Sequence, residues 1–190
     1  VDAYSKIKKA YDRNEYLYFR SDHHWTALGA YRAYEAFAKS ASFTPTPLME
    51  FENRRVDEFL GTFYSSTYDK NLKESPDFVS FYAPKNEYSV TNYRENGVDT
   101  YKGTLVYKSV SNISHGYLVF MGGDIPLSVI ETDVKNGRSL LIFKESYGNA
   151  FVPFLTGNFE KIYVADIRTF PFNAVNFVPE NGITDVLFLN

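Results

Sequence analysis

Apolar positions along this chain follow two rhythms, and each rhythm predicts a different kind of element. After Thr26, apolar side chains recur every three or four residues with charged residues between them, which predicts a helix that runs to about Ser40. The last third instead contains unbroken apolar runs at 139–144, 161–167 and 184–189. Such runs are typical of strands that are buried on both faces.

Helix-like segments at 150–157 and 172–177 separate these three runs. An alternation of strands and helices favours right-handed crossovers and a parallel sheet. The 190 residues suffice for one domain with a substantial core. The sequence therefore predicts an α/β fold with a mainly parallel sheet, in a single domain over residues 1–190.

The earlier part of the chain has weaker patterns. A short strand is predicted at 15–19 and a short helix at about 49–60. Two runs with strand character, at 78–82 and 88–93, predict a hairpin. We expect this hairpin to lie within a β-rich insertion at about 60–115.

Composition narrows the classes of partner. Apolar residues make up 44% and charged residues 23%, as in ordinary globular proteins. The net charge of −3 provides no basic field for nucleic acid or an anionic membrane. The chain has no cysteine, which excludes disulfides and thiolate metal sites. No apolar run reaches the roughly 18 residues that a membrane helix needs.

The chain begins at Val1, without Met, inside a segment that is itself predicted to be helical. We therefore expect an N-terminally truncated chain. Any targeting or anchoring segment of the intact protein would lie outside this sequence.

Aromatic residues are abundant, with 16 Tyr and 17 Phe. Aromatic side chains pack well in strands, which explains them without any function. Their flat faces also suit the apolar faces of sugar rings. The sequence leaves both interpretations open.

The candidate chemistry begins at Asp22-His23-His24-Trp25, which contains two of the three histidines and the only tryptophan. A carboxylate two residues from an imidazole can fix the tautomer of the ring and aim a base, as acyl transfer requires. Asp22 can equally cap the helix that follows. With carboxylates from elsewhere, His23 and His24 can also bind a metal, so that alternative stays open.

Ser146 follows the apolar run at 139–144 and precedes Gly148 in a predicted tight turn. A serine in this place exposes its hydroxyl near the N–H groups that begin a helix, where negative charge is stabilised. The alternative is that Ser146 only caps the helix.

Arg168 follows another of the apolar runs. Because sites in open parallel sheets form at the carboxyl ends of strands, we expect the Asp-His motif, Ser146 and Arg168 to share one crevice. Gly122 and Gly123 are candidate backbone donors to an oxyanion, or simply part of a turn.

The motif at 22–25, the Thr-Ala-x-Gly-Ala-Tyr segment that follows it, and the segments 144–149 and 166–168 together resemble the DHHW proteins of Gram-positive bacteria. These are similar to the acetyltransferase domains of the alginate O-acetylation proteins, in the SGNH-hydrolase-like superfamily. The resemblance covers most of the chain and is strongest at 15–40 and 120–170. It implies a flavodoxin-like three-layer sandwich.

The resemblance also implies roles for individual residues. Ser146 would be the nucleophile, His24 its base and Asp22 the carboxylate that orients the base. This order is permuted relative to ordinary SGNH hydrolases, in which the serine comes first. Asn149 is a further candidate for the oxyanion site. The candidates for substrate binding are Arg168, Tyr147, Trp25 and Asn149.

We therefore expect an SGNH-like serine acyltransferase or esterase that acts on O-acetyl groups of a cell-surface or secreted polysaccharide, or of another acylated carbohydrate. It would work outside the cell, with no metal or other cofactor and no nucleic acid, and the intact protein would be anchored to the membrane. The alternative is a non-catalytic carbohydrate-binding or assembly protein on the same fold. A hydrogen-bond distance between Ser146 Oγ and His24 Nε2 would favour the enzyme. A metal-dependent hydrolase is the third hypothesis.

Overall fold

The structure, a computed structural model, describes residues 1–107 and 113–189 and has two β-sheets. A two-stranded antiparallel sheet contains β1 (Glu52–Phe59) and β2 (Asp77–Ala83). The central six-stranded sheet contains β3 (Tyr88–Tyr93), β4 (Thr100–Lys102), β5 (Leu127–Thr132), β6 (Ser139–Lys144), β7 (Lys161–Asp166) and β8 (Asp185–Leu189).

The central sheet is mixed, which corrects the mainly parallel sheet predicted from the sequence. Its strand order is β4-β3-β5-β7-β6-β8. The three apolar runs of the last third form a parallel unit, because β6 pairs in parallel with both β7 and β8. β3 pairs antiparallel with β4 and β5, and β5 pairs antiparallel with β7. Helical crossovers connect the last three strands, and the short connection 133–138 between β5 and β6 is too brief for one.

Six α-helices lie in the described ranges, and their bounds follow. They are α1 (Ala3–Tyr11), α2 (Ala27–Ser40), α3 (Thr62–Thr67), α4 (Lys70–Glu74), α5 (Gly148–Phe151) and α6 (Ala174–Glu180). Short 3-10 helices cover Leu48–Glu50, Ile113–Val119 and Val152–Gly157. The predicted helix after Thr26 is confirmed, and Thr26 caps it by accepting a hydrogen bond from the N–H of Gly29.

Three local predictions were wrong. The segment 15–19 forms no strand and makes only an isolated bridge between Tyr18 and Trp25. Most of the segment predicted as a helix at 49–60 is strand β1. The runs at 78–82 and 88–93 do not form a hairpin, because β2 pairs with β1 whereas β3 pairs with β4 and β5. In the last two cases the deciding partner is a strand from another part of the chain, and local patterns do not show it.

The core has two parts on opposite faces of the central sheet. Alternate side chains of β6, such as Leu140 and Ile142, join a large cluster with buried residues of α2 and α5. The other β6 side chains, Leu141 and Phe143, pack with Phe177 of α6. Because successive side chains of a strand point to opposite faces, the sheet lies between two helical layers. The division into a domain with an insertion at 60–115 stays a prediction, and residues 108–112 of that range lie outside the described residues.

Over 1–107 and 113–189, no helix combines the length and the apolar content needed to cross a bilayer.

Candidate active site

The Asp-His-His-Trp motif lies on a loop that is closed at both ends. The N–H of Thr26 donates to the carbonyl of Leu17 at 2.8 Å, and the N–H of Phe19 donates to the carbonyl of His24 at 3.2 Å. Gly29 allows this closure, since a Cβ there would lie 2.4 Å from the carbonyl oxygen of Leu17. The backbone therefore presents the motif in one conformation at the start of α2.

Asp77, the first residue of β2, holds the same loop in place through hydrogen bonds. Its Oδ2 accepts hydrogen bonds from the N–H and the hydroxyl of Ser21, both at 2.7 Å, and from the N–H of Arg20 at 3.0 Å. Burial alone would raise the pKa of Asp77, but its hydrogen bonds from Tyr16, Ser21 and Arg20 lower it. The charged form is therefore the one that holds the loop.

Within this loop, Asp22, His24 and Ser146 form a continuous hydrogen-bonded chain. Asp22 Oδ1 lies 2.5 Å from His24 Nδ1, and His24 Nε2 lies 2.7 Å from Ser146 Oγ. The imidazole is buried, with 8% of its side chain exposed. A neutral imidazole that donates from Nδ1 to the carboxylate presents Nε2 as an acceptor for the serine hydroxyl. The geometry is that of a base aimed at a nucleophile.

Asp22 is held on its other oxygen by Thr62, at the start of α3. The N–H of Thr62 donates to Oδ2 at 2.9 Å and its hydroxyl at 3.2 Å. Gly61 packs against the carboxylate so closely that a Cβ there would lie 2.2 Å from Asp22 Cβ. Burial alone would raise the pKa of Asp22, but hydrogen bonds from the His24 ring, the Thr62 N–H and the His24 N–H lower it to about 2.

Ser146 lies at the carboxyl end of β6, in the turn that leads into α5. The turn is tight, because Gly148 donates its N–H to the Glu145 carbonyl, and a Cβ at Gly148 would meet Lys144 Cβ at 2.5 Å. The Ser146 hydroxyl also lies 3.2 Å from Glu145 Oε2. The other carboxylate oxygen of Glu145 is buried and has no hydrogen-bond partner among the described residues.

Tyr147 and Trp25 line the site beside the hydrogen-bonded residues Asp22, His24 and Ser146. The Trp25 indole N–H donates to the Tyr147 carbonyl at 3.0 Å, so Trp25 fixes the backbone next to Ser146. The Tyr147 hydroxyl donates to the carbonyl of His23. The Tyr147 ring lies 5.1 Å from the His24 ring. Both side chains thus lie beside His24 and Ser146, and their roles in substrate binding stay predictions.

Arg168 belongs to a second polar network, centred on Asp124. Its guanidinium pairs with Asp124 and with Asp166 at 2.5 and 2.6 Å, while Lys144 Nζ lies 2.9 Å from Asp124. Burial alone would raise the pKa of Asp124, but the charge of Lys144 and hydrogen bonds from Lys144, Asn149 and Arg168 lower it. Asp124 therefore links Arg168 to the turn after Ser146. Among the described residues, no direct contact joins Arg168 to Ser146.

The oxyanion candidates are engaged elsewhere. Asn149 donates its side-chain amide to Asp124 at 3.0 Å, while its carbonyl oxygen is buried without a partner among the described residues. The N–H groups of Gly122 and Gly123 donate to the carbonyls of Leu118 and Phe120, which makes this segment a closed turn.

A metal could in principle use Asp22, His23 and His24, since each offers a ligand atom and these atoms lie within 4.8 Å of one another. The short hydrogen bond between Asp22 and His24 competes with that arrangement, because a metal would have to replace it. His23 Nδ1 is in turn hydrogen-bonded to Thr62 Oγ1 at 2.7 Å.

Sequence reasoning missed two residues of this site. Thr62 holds Asp22, and Tyr117 stacks on His24. Both lie in or beside the segment where the resemblance is weak, and no local motif marks them. The Gly122-Gly123-Asp124 loop was considered only for its backbone N–H groups, whereas the Asp124 side chain joins Asn149, in the turn after Ser146, to Arg168.

The sequence profile of the DHHW protein family matches residues 3–165 of this chain. No curated protein sequence matches this chain.

Three solved structures with a similar fold are informative. A DHHW family protein from Eubacterium siraeum is 41% identical, with a TM-score of 0.91 over 99% of this chain and 62% of that one. Bacillus cereus PatB1 with a sulfonyl adduct is 21% identical, with a TM-score of 0.75 over 93% of this chain and 61% of that one. The O-acetyltransferase domain of Pseudomonas putida AlgJ is 13% identical, with a TM-score of 0.51 over 98% of this chain and 56% of that one. The chain thus spans less than two thirds of each of these structures.

Proposed function

This chain belongs to the DHHW family, and from that premise we propose that it is an SGNH-like serine O-acyltransferase or esterase. The observation that carries the proposal is the hydrogen-bonded chain from Asp22 through His24 to Ser146. The 2.7 Å between His24 Nε2 and Ser146 Oγ supports catalysis over carbohydrate binding alone.

In the first half of the reaction, Ser146 Oγ attacks the carbonyl carbon of an acetyl ester. Its proton passes to His24 Nε2, and Asp22 stabilises the imidazolium that forms. The bond between the carbonyl carbon and the sugar oxygen then breaks. The departing hydroxyl takes the proton from His24, which leaves an acetyl group on Ser146.

In the second half, His24 removes a proton from an acceptor hydroxyl, and the acceptor oxygen attacks the acetyl-serine. When the acceptor is water the protein is an esterase, and when it is another sugar hydroxyl the protein is a transferase. Exclusion of water decides between them. The proton returns to Ser146 Oγ as the ester bond to the enzyme breaks.

We propose an O-acetylated polysaccharide at the cell surface or outside the cell as the substrate. Exposed aromatic rings near the motif support this class. Phe63 and Tyr18 have about half of their surface exposed, and Phe63 lies 6.4 Å from the His23 ring. Flat aromatic faces bind sugar rings, whose apolar faces stack on them. One of the similar structures is described as an O-acetyltransferase domain.

The proposal is tested first by covalent labelling of the serine. A phenylmethanesulfonyl fluoride probe should add one sulfonyl group to the wild-type protein, because Ser146 Oγ displaces fluoride while His24 takes the proton. Intact-mass spectrometry and peptide mapping should locate the group on Ser146, and Ser146→Ala should stay unlabelled. Labelling at equal rates in both proteins would contradict a uniquely reactive serine.

The second test is turnover of p-nitrophenyl acetate and of an acetylated oligosaccharide. We expect the wild type to release acetate, and Ser146→Ala to lose at least about 10³-fold in kcat. Ser65→Ala is the matched control, because Ser65 lies in α3 and its hydroxyl donates to the carbonyl of Gly61, the residue before the helix. Equal rates in wild type and Ser146→Ala, with both folded, would overturn the proposal.

A further inference from the structure

The imidazole of His24 is the middle one of three stacked rings. The Tyr117 ring lies parallel to it, with centroids 3.8 Å apart and planes within 8°. The His23 ring lies at the same centroid distance, tilted by 37°. Two rings cannot occupy one face of an imidazole at that distance, so Tyr117 and His23 cover opposite faces.

Tyr117 also contacts the backbone of the nucleophile. Its hydroxyl donates to the carbonyl of Ser146 at 3.2 Å. Burial raises the pKa of the Tyr117 hydroxyl well above its ordinary value, so the phenol stays protonated and keeps this bond. The buried Tyr117 side chain thus contacts both the ring of His24 and the backbone of Ser146.

The segment that carries Tyr117 can approach this closely because Gly116 precedes it. A Cβ at Gly116 would lie 2.7 Å from a ring atom of Phe59, the last residue of β1. Phe120 packs edge-on against Tyr117 at 5.1 Å and is itself fully buried. Tyr117 is therefore held rigidly beneath His24.

His23 is fixed to the same carboxylate as His24, but through Thr62. Its Nδ1 lies 2.7 Å from Thr62 Oγ1, and that hydroxyl donates to Asp22 Oδ2. The His23 side chain is 43% exposed, so it forms the solvent side of the stack. His23, the first histidine of the motif, therefore has contacts of its own that differ from those of His24.

We propose that Tyr117 and His23 are positioning residues that clamp the base, an inference that rests on the proposed function. Two hydrogen bonds in the plane of the His24 ring, to Asp22 and Ser146, fix where its edges point. The stacked rings fix the plane itself. The π face of Tyr117 also attracts the positive charge that His24 carries after it takes the serine proton. Tyr117 makes a further link, because it ties the position of the base to that of the nucleophile.

The kinetic test compares two substitutions at Tyr117. Tyr117→Leu removes ring and hydroxyl, and we expect kcat on p-nitrophenyl acetate to fall about 10- to 30-fold. Tyr117→Phe keeps the stack and loses one hydrogen bond, so about 2- to 5-fold is expected. Ser146 keeps a backbone partner in both, since its carbonyl also accepts from the N–H of Asn149. KM should stay unchanged, because buried Tyr117 does not reach the substrate.

Phe159→Leu is the matched control. It truncates a fully buried ring that packs on Phe37 and Phe43, away from Tyr117 and His24. We expect it to lower the midpoint of urea unfolding as much as Tyr117→Leu does while kcat stays within about twofold. Equal losses of kcat in Phe159→Leu and Tyr117→Leu would mean that Tyr117 only supports the fold, and would overturn the clamp. His23→Phe keeps a ring over His24 and should therefore retain more kcat than His23→Ala. The reverse order would contradict the part of the clamp assigned to His23.

An NMR measurement separates the clamp from the proposed function. The Hε1 proton of His24 lies in the ring currents of its neighbours, so Tyr117→Leu should shift and broaden its signal, whereas Tyr117→Phe should leave it nearly in place. An unchanged signal in Tyr117→Leu overturns the clamp even if the protein is active. An inactive wild type overturns the proposed function, and the His24 signal then decides on the clamp alone.

Discussion

Asp22 and Asp77 are two buried carboxylates beside one loop, and they differ in what they hold. Asp77 accepts hydrogen bonds from Ser21, Arg20 and the Tyr16 hydroxyl, all of which are parts of the loop or of the segment that leads into it. Asp22 instead accepts at one oxygen from an imidazole whose other nitrogen reaches Ser146. The first carboxylate fixes the loop, and the second uses that rigidity to aim a base.

The comparison teaches that a perturbed carboxylate alone does not identify a functional residue. Both groups have a lowered pKa, and in both cases burial opposes the shift while hydrogen bonds outweigh it. What separates them is the partner: Asp77 binds groups of the loop and of the segment before it, whereas Asp22 binds an imidazole whose other nitrogen reaches Ser146. Perturbed pKa values therefore need the geometry of the partner before they suggest function.

The sharpest way to separate the two carboxylates is Asp22→Asn. An amide at this position can donate to His24 Nδ1, which favours the wrong tautomer and removes the acceptor that Ser146 needs. We expect kcat on p-nitrophenyl acetate to fall about 10³- to 10⁴-fold, with only a modest loss of unfolding free energy. Steady-state kinetics and urea unfolding measure both quantities. A rate within tenfold of wild type would contradict the role assigned to Asp22.

Asp77→Asn should show the opposite balance. It breaks the ion pair between the buried Asp77 carboxylate and the half-exposed Arg20 guanidinium and weakens several hydrogen bonds to the loop, so the free energy of unfolding should fall by about 3 kcal/mol. Molecules that remain folded should keep kcat within a few-fold of wild type. The control is Asp57→Asn, since Asp57 and its partner Arg55 are both exposed and should contribute less than about 1 kcal/mol. A stable but inactive Asp77→Asn protein would mean that the two carboxylates share one role.

The pH dependence of stability is a smaller effect, and both carboxylates contribute to it in the same direction. The pKa of Asp22 is about 2 in the folded protein and about 3.9 in an unfolded chain. A depressed folded pKa stabilises the protein above the unfolded value, and that contribution is lost as the pH falls from about 4 towards about 2. Urea unfolding from pH 5 to pH 2 should therefore show a shallower loss in Asp22→Asn than in wild type, by up to about 2 kcal/mol. Identical slopes would show that Asp22 is not stabilised in its charged form.

The sequence predicted the parts of this site that are local. Asp22 and His24 are two residues apart, and a buried strand that ends in a tight turn marks Ser146. That they meet across 122 residues was expected from their predicted positions at the carboxyl ends of strands, and their individual roles only from the family resemblance. Thr62 and Asp77 could not be predicted, because each contributes through a contact made by folding and neither lies in a recognisable motif.

The fold divides in the same way. Strands β6, β7 and β8 are buried on both faces or pair with such strands, so their continuous apolar runs were recognisable. Strand β1 carries charged side chains along most of its length and was predicted as a helix. Its strand conformation depends on pairing with β2, which local sequence does not reveal.

The smallest expected effect concerns the Thr62 hydroxyl, and it tests whether the contrast between Asp22 and Asp77 depends on that one group. Thr62→Val removes the hydroxyl that joins Asp22 to His23 but keeps the backbone N–H that donates to Asp22 at 2.9 Å. We expect kcat to fall about 2- to 10-fold. Asp22 keeps the shorter hydrogen bond, from the Thr62 N–H, whereas His23 loses its hydrogen bond to the Thr62 hydroxyl. Thr67→Val is the matched control, since the Thr67 hydroxyl donates to the Phe63 carbonyl and accepts from the N–H of Asp69, neither of which belongs to the site. If Thr62→Val lost as much activity as Asp22→Asn, Asp22 would depend on Thr62 as fully as the loop depends on Asp77, and the contrast between the two carboxylates would disappear.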